Sequence, residues 1–240
     1  WNADGTGEPI VFRGHGAPVR VVAWHPNGKR LFTGAMNKTI GIWNIDGTGT
    51  AEPLDAKYGG IYAAAWSPDG ERVVTGGKDG KVRVWNMDRK TEPILLDEHS
   101  SPVHAVSWSP DGQHIVTGAD DGVVKIWNGD GSGKPAVLAG YSAMKITVAV
   151  SPDSRRIAFG GDAHAFKIAN MDGSGHPLEF HTGNQVLDVV FSPDGRNIAS
   201  VDRNGTVHVW SLERTLKPRV FRGHTAGVFG AIWSPDGERI

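Results

Sequence analysis

The phrase WSPDGERVVTGGKDGKVRVWN at residues 66–86 returns at 108–128 as WSPDGQHIVTGADDGVVKIWN. That repetition limits what the chain can fold into more than any other feature. Anchored on the proline of the turn, the copies fall at Pro26, Pro68, Pro110, Pro152, Pro193 and Pro235, with spacings of 42, 42, 42, 41 and 42 residues. A second ruler, the third-strand residue that precedes Asn in all but the last copy, gives Trp1, Trp43, Trp85, Trp127, Ala169 and Trp210 with the same steps.

Each copy reads as a run of short strands joined by tight turns. In the copy that starts at Ile61, the segment Ile61 to Trp66 is β-rich, and SPDG follows with Pro second and Gly fourth, as a type I turn prefers. Arg72 to Thr75 forms the second strand and Asp79-Gly80 the next turn. Val82 and Val84 then alternate with Arg83 and Trp85, and a fourth strand starts near Pro93 and runs through Leu96. No segment has helical periodicity. A unit of four antiparallel strands at a period of about 40–45 residues predicts an all-β fold, a β-propeller of four-stranded blades.

A single such sheet has two faces and covers neither. Burying one Trp contributes about 4–6 kcal/mol gross, which the ordering of a few residues already offsets. Each copy therefore exists to bury its neighbour. Trp24, Trp66, Trp108 and Trp233 of the first strands, with the Trp residues of the third strands, are expected between the sheets. The approximate repeats are 14–56, 57–98, 99–140, 141–181 and 182–222, with 223–240 and 1–13 as partial pieces of a single domain spanning 1–240. Glu8 to Arg13 reads as a fourth strand without its own first three, and Phe229 to Ile240 as a first strand with the start of a second, so the two pieces are candidates to share a blade. The expectation is about five complete blades plus partial terminal strands, cut from a longer array.

Composition narrows the function classes. The chain carries 25 basic and 26 acidic residues, a formal net charge of −1, with no run of five like charges. A duplex-binding surface needs clustered Lys and Arg, so no nucleic acid partner is expected. There is no cysteine for disulfides or thiolate metal sites. No stretch approaches the roughly 18 apolar residues of a membrane span, so no membrane insertion is expected. A cytoplasmic location is the expectation.

On these residues the chain resembles the WD40 repeat family over nearly its whole length. The third copy carries the family's four positions in full, as His99, Thr117, Asp121 and Trp127. The resemblance implies that these side chains form a buried hydrogen-bonded relay. His15, Thr33, Asn37 and Trp43 keep the set with Asn for Asp, and Lys57, Thr75, Asp79 and Trp85 lack the His. The fourth copy has lost all of it, with Tyr141, Phe159, Ala163 and Ala169 in the slots. Joint loss suits a structural role, because one orphaned buried partner costs more than replacing every member with apolar groups. The family's Trp-Asp appears here as Trp-Asn, and Ala158-Phe159 with Asn170-Met171-Asp172-Gly173 leans towards TolB-like propellers.

No catalytic, cofactor or metal site is expected. His15, His99 and His224 occupy the relay's His slot. His104 and His114 flank a hairpin with no third ligand at a fixed offset. NADGTG at 2–7, NIDGTG at 44–49, NGDGSG at 128–133 and NMDGSG at 170–175 resemble half a calcium loop, but the twelfth positions hold Arg13, Asp55, Ala139 and His181, so a turn is favoured. GDGSGK at 129–134 is one residue short of a phosphate loop, and Pro135 opens a strand rather than a helix. Nothing nominates a nucleophile.

Positions that vary between copies are free of the demands of the turns. Six before the turn proline stand Arg20, Tyr62, His104, Ile146, Leu187 and Phe229. Before the second turn's Asp slot stand Met36, Lys78, Asp120, Asp162 and Arg203. The resemblance implies that both sets border the narrower rim and channel mouth, where protein or peptide partners dock. The function expected is a non-enzymatic interaction scaffold, the docking or sensing propeller of a larger bacterial signalling protein with covalent neighbour domains. The alternatives are a ligand-binding propeller for carbohydrate or ions and a TolB-like periplasmic propeller.

Overall fold

Every repeat folds back on itself because its first turn is wired for it. In the second copy the Ser67 hydroxyl accepts the Arg72 N–H at 2.9 Å, and Asp69 accepts the Glu71 N–H at 2.9 Å. Gly70 takes φ 73°, a left-handed conformation open to glycine at little cost. The Ser wiring recurs at Ser109, Ser151, Ser192 and Ser234. Ser154 replaces the glycine in the fourth copy at φ 59°, and its hydroxyl accepts the Asp111 N–H of the preceding sheet at 3.0 Å.

The computed structural model describes residues 6–37, 39–48, 59–88, 91–97, 99–138, 146–161, 164–213 and 217–240. Among them there is no helix, and five antiparallel sheets follow one another in chain order. The first contains β1 (Val19–Trp24), β2 (Arg30–Ala35) and β3 (Ile40–Asn44). The fourth strand required by repeat 14–56 falls within 49–58, outside the described residues. The second contains β4 (Ile61–Trp66), β5 (Arg72–Gly77), β6 (Val82–Asn86) and β7 (Ile94–Leu96), and the third β8 (Val103–Trp108), β9 (His114–Ala119), β10 (Val124–Asn128) and β11 (Ala136–Leu138). The fourth contains β12 (Thr147–Val150), β13 (Arg156–Gly160), β14 (Ala165–Asn170) and β15 (Leu178–His181), and the fifth β16 (Val186–Phe191), β17 (Asn197–Asp202), β18 (Thr206–Ser211) and β19 (Arg219–Arg222). The first strands β1, β4, β8, β12 and β16 touch in series, so the sheets fan out from an inner edge as propeller blades do.

The core lies between sheets rather than within them. Four apolar clusters correspond to the four interfaces, each drawn from two consecutive sheets. Phe32 and Ile40 meet Ile61, Trp66 and Val73 at the first interface, and Val82 and Leu96 meet Val103, Trp108 and Trp127 at the second. This is why the expected alternation in β6 is absent from its burial: Val82, Arg83, Val84 and Trp85 are all buried, because both faces of the sheet are covered. Close approach is made possible by a glycine in the second strand of each of the first four sheets. A Cβ on Gly76 would stand 2.6 Å from Val103, and one on Gly118 2.8 Å from Ile146.

Polar ties cross the same interfaces. Trp66 Nε1 donates to the Ala23 carbonyl at 3.0 Å, and Trp233 Nε1 to that of Val190 at 3.2 Å. Arg30 lies over Trp66, Arg72 over Trp108 and Arg156 over Phe191, with guanidinium-to-ring distances of 5.6, 4.7 and 5.9 Å. A second-strand Arg thus caps the first-strand aromatic of the next blade wherever the pair exists. His114 holds the Arg place before Val150, and its Nδ1 is buried without a partner among the described residues.

The ends depart from the sequence expectation. Trp24 is 60% exposed rather than buried between sheets, since no sheet lies against that face of β1 among the described residues. Neither Glu8 to Arg13 nor Phe229 to Ile240 forms a strand, because a ladder needs a partner and neither has one there. Their side chains nevertheless keep their repeat positions. Phe12 packs on Trp43 with ring centroids 5.2 Å apart, as Phe180 packs on Trp210 at 5.5 Å. Phe221, one repeat further on, covers no Trp and is 52% exposed. It lines a groove of about 840 Å³ between β18–β19 and Trp233 to Ile240.

Candidate functional site

The relay is complete in the third sheet. Trp127 Nε1 reaches Thr117 Oγ1 at 2.9 Å, Thr117 Oγ1 reaches His99 Nε2 at 2.8 Å, and His99 Nδ1 reaches Asp121 Oδ2 at 3.0 Å. An indole only donates and a carboxylate only accepts, so the direction of every bond is fixed and His99 carries its proton on Nδ1. In the first sheet Trp43 donates to Thr33, which meets His15 Nε2 at 2.6 Å. His15 Nδ1 then bonds Thr39 Oγ1 at 2.7 Å, and Thr39 donates to Asn37 at 2.7 Å. Asn37 thus joins the relay through Thr39 rather than directly. Burial holds the His15 pKa below its ordinary value.

In the second sheet Trp85 donates to Thr75 at 2.9 Å, and Asp79 accepts a two-pronged ion pair from Arg83 at 2.7 and 3.3 Å. Arg83 therefore supplies to Asp79 the donor that His99 supplies to Asp121 in the third sheet; Lys57 lies outside the described residues. In the fourth sheet Phe159 and Ala169 belong to an apolar cluster, while Tyr141 and Ala163 lie outside the described residues. His224 is exposed and joins no relay among the described residues.

The NxDGTG phrases close on themselves. Asp46 accepts both the N–H and the hydroxyl of Thr48, and Asp130 and Asp172 accept the N–H of Ser132 and Ser174. Those hydroxyl and amide bonds hold all three carboxyls below the usual range. His104 and His114 stand at opposite ends of their hairpin by the β8–β9 register. Among the described residues no three His, Asp or Glu side chains converge as a metal would require, and no helix is long and apolar enough to cross a membrane.

The two variable sets meet at one end of the fan. The register of the first hairpin shifts between Val19 and Val21, and the same shift falls between Ile61 and Ala63, Val103 and Ala105, and Val186 and Asp188. Arg20, Tyr62, His104 and Leu187 are thus the unpaired residues of four β-bulges, devices that turn a side chain out of the ladder's plane. Each bulge is tied to the second set by one recurring bond. Met36, Lys78, Asp120 and Arg203 donate their N–H groups to the carbonyls of Pro18, Gly60, Pro102 and Gln185, two residues before each bulge.

Three of the bulged side chains form a ladder. The Arg20 guanidinium lies 5.8 Å from the Tyr62 ring, and Tyr62 stacks on His104 with centroids 4.9 Å apart and planes 23° apart. His104 Nε2 bonds Asp120 at 3.0 Å. Arg20, Lys78 and Met36 are exposed, and Tyr62, His104 and Asp120 half-buried. Leu187 is half-buried apart from the ladder, and Arg203 is held by Gln185 Oε1 at 3.1 Å. Phe229 is 80% exposed in the terminal segment and joins no sheet.

Ile146 departs from the expected rim set. Ile146 is buried in the place that Val103 holds one repeat earlier, and it packs on Gly118. Asp162 lies outside the described residues.

One functional-looking group went unpredicted. Asp188, beside the bulge of the fifth sheet, accepts from Thr147 of the fourth sheet at 2.9 Å and from the Ala231 N–H of the terminal segment at 3.2 Å. Burial raises its pKa. Its only signal in the sequence is an acid within the apolar strand VLDVVF.

An all-β fan of repeats, stabilised blade against blade, defines a β-propeller. The sequence profile of the family described as WD domain, G-beta repeat, matches residues 8–44, 52–86, 91–128 and 174–211. The chain belongs to the WD40 family, whose members are generally protein-interaction scaffolds and typically non-enzymatic. Strands β12 to β14, of the copy that has lost the relay, lie between the third and fourth matched stretches.

Proposed function

We propose that this propeller is a docking module for protein or peptide partners, and that the partner seats on the inner rim formed by Arg20, Tyr62, His104 and Asp120 with Met36 and Lys78 beside them. The observation that carries this reading is the ladder itself. Three consecutive blades use the same bulge to present three unlike side chains in one stack. Turn residues repeat because the backbone demands them, whereas nothing in the blade's architecture demands Arg, then Tyr, then His. Arg and Tyr on a rigid frame are side chains that anchor interfaces, since little rotamer freedom remains to be lost on binding.

We place the module within a larger cytoplasmic signalling protein of bacterial type, on the likeness of its near-uniform copies to such arrays. Chemistry, on this reading, belongs to neighbouring domains. A photo-crosslinking amino acid introduced at position 62 is expected to capture the partner, and one at Val137 on an outer strand to leave it uncaptured. Equal capture at both positions, or capture at 137 alone, refutes the rim as the docking site.

A further inference from the structure

We propose that the rim selects acidic peptide segments, an inference that rests on the docking reading above. The chain as a whole is close to neutral, but the charges at this end are sorted. Among the described residues the acids there are engaged within the protein. Asp79 is paired with Arg83, Asp121 with His99 and Asp120 with His104. Asp202 is buried and accepts from Asn184 and from the N–H groups of Asn204 and Thr206.

The cations are not matched in the same way. Arg20 is exposed and lies over the face of Tyr62, with no ion pair among the described residues. Lys78 is exposed and forms no ion pair among the described residues. It holds, beside Tyr62, the place that Asp120 holds beside His104, where the acid meets the imidazole at 3.0 Å. Arg203 rests on the neutral Gln185 and keeps its charge. The first two rungs thus present positive charge next to an aromatic surface, and on the third the imidazole is hydrogen-bonded to Asp120.

A guanidinium stacked on a ring is already oriented, so it offers its fork to a carboxylate with little further ordering. Lys78 supplies a second point charge one blade away. An extended segment crossing the inner strands, with carboxylates for Arg20 and Lys78 and its backbone over Tyr62 and His104, satisfies every free group. A basic segment meets two like charges there.

The test is fluorescence anisotropy with labelled synthetic peptides of alternating Glu and Ser, Gln and Ser, and Lys and Ser, alongside a single-stranded thymidine oligonucleotide. The Glu peptide is expected to bind best, more weakly as salt rises. Arg20→Gln or Lys78→Gln should lower its affinity by about tenfold or more, with unchanged melting temperature, while Lys134→Gln in the exposed β10–β11 turn has no effect. Tyr62→Phe should retain binding and Tyr62→Ala lose it. The inference is overturned if the Glu peptide binds no better than the Gln peptide or the oligonucleotide, or if Arg20→Gln and Lys78→Gln leave its affinity unchanged. Should another peptide bind best and Tyr62→Ala alone abolish it, docking at the rim stands and acidic selection falls. If no rim substitution changes the binding of any probe, both fall.

Discussion

Thr117→Val removes one hydroxyl and keeps the side chain's shape, and the structure makes that a severe change. Thr117 is fully buried, and its oxygen serves two partners, receiving the Trp127 indole N–H and donating to His99 Nε2. Valine leaves both without a partner in a place that water does not reach. Each orphaned buried group costs about 1–3 kcal/mol, so the expected loss is about 2–5 kcal/mol. Thr117→Ser keeps the hydroxyl and removes one methyl, for a loss of about 1 kcal/mol. Thr75→Val is the internal control: Thr75 receives Trp85 but meets only the Arg83 carbonyl, at 3.5 Å, on its other side. It strands one strong partner, and its loss should be about half that of Thr117→Val. Guanidinium denaturation followed by tryptophan fluorescence ranks the three variants. If Thr117→Val costs no more than Thr117→Ser, or no more than Thr75→Val, the relay does not stabilise the blade in the way argued.

Other consequences of the interfaces are open to the same assay. Trp66→Phe loses the bond to Ala23 and should cost about 1 kcal/mol or more, whereas Trp24→Phe, on an uncovered face, should stay within about 0.5 kcal/mol. Gly76→Ala pushes a Cβ into Val103 of the next blade and should cost about 1–3 kcal/mol, with denaturation midpoints as the measure. For pH, burial places the folded-state pKa of His15 and His208 below the ordinary 6.5, so the unfolded chain binds more protons. Their contribution is intact above about pH 6.5 and is lost as pH falls through the lowered folded values. The melting temperature should fall between pH 7.5 and 5.5, and by less in His15→Gln.

Much of this architecture was legible because a repeat displays its own constraints. The Ser-Pro-Asp-Gly turns, the four strands and the burial of third-strand Trp residues follow from local chemistry that recurs in several copies, and even the joint loss of the relay in the fourth copy matches Phe159 and Ala169 within an apolar cluster. What stayed hidden depends on the neighbouring blade or on the backbone path. Trp24 and Trp66 stand at equivalent positions, yet one is exposed and the other buried, because only Trp66 has a sheet against it. Arg83 reads as an outward residue in an alternating strand until the Asp79 carboxylate is seen beside it.

The rim shows the limit most clearly. Counting back from the turn proline finds Arg20, Tyr62, His104 and Leu187, but counting cannot tell that each sits on a bulge, since a bulge adds a residue to one strand without marking it. The same count finds Ile146, where the side chain turns inward and Gly118 receives it. Five equivalent positions in the sequence are therefore four presented side chains and one core residue. Stacking needs a further condition, that neighbouring bulges carry flat or cationic groups in succession, and only Arg20, Tyr62 and His104 meet it. Leu187 lies beyond the fourth blade, whose equivalent residue Ile146 is buried, and has no neighbouring rung among the described residues. The ladder's length is thus a property of which way the backbone turns each equivalent residue as much as of side-chain identity.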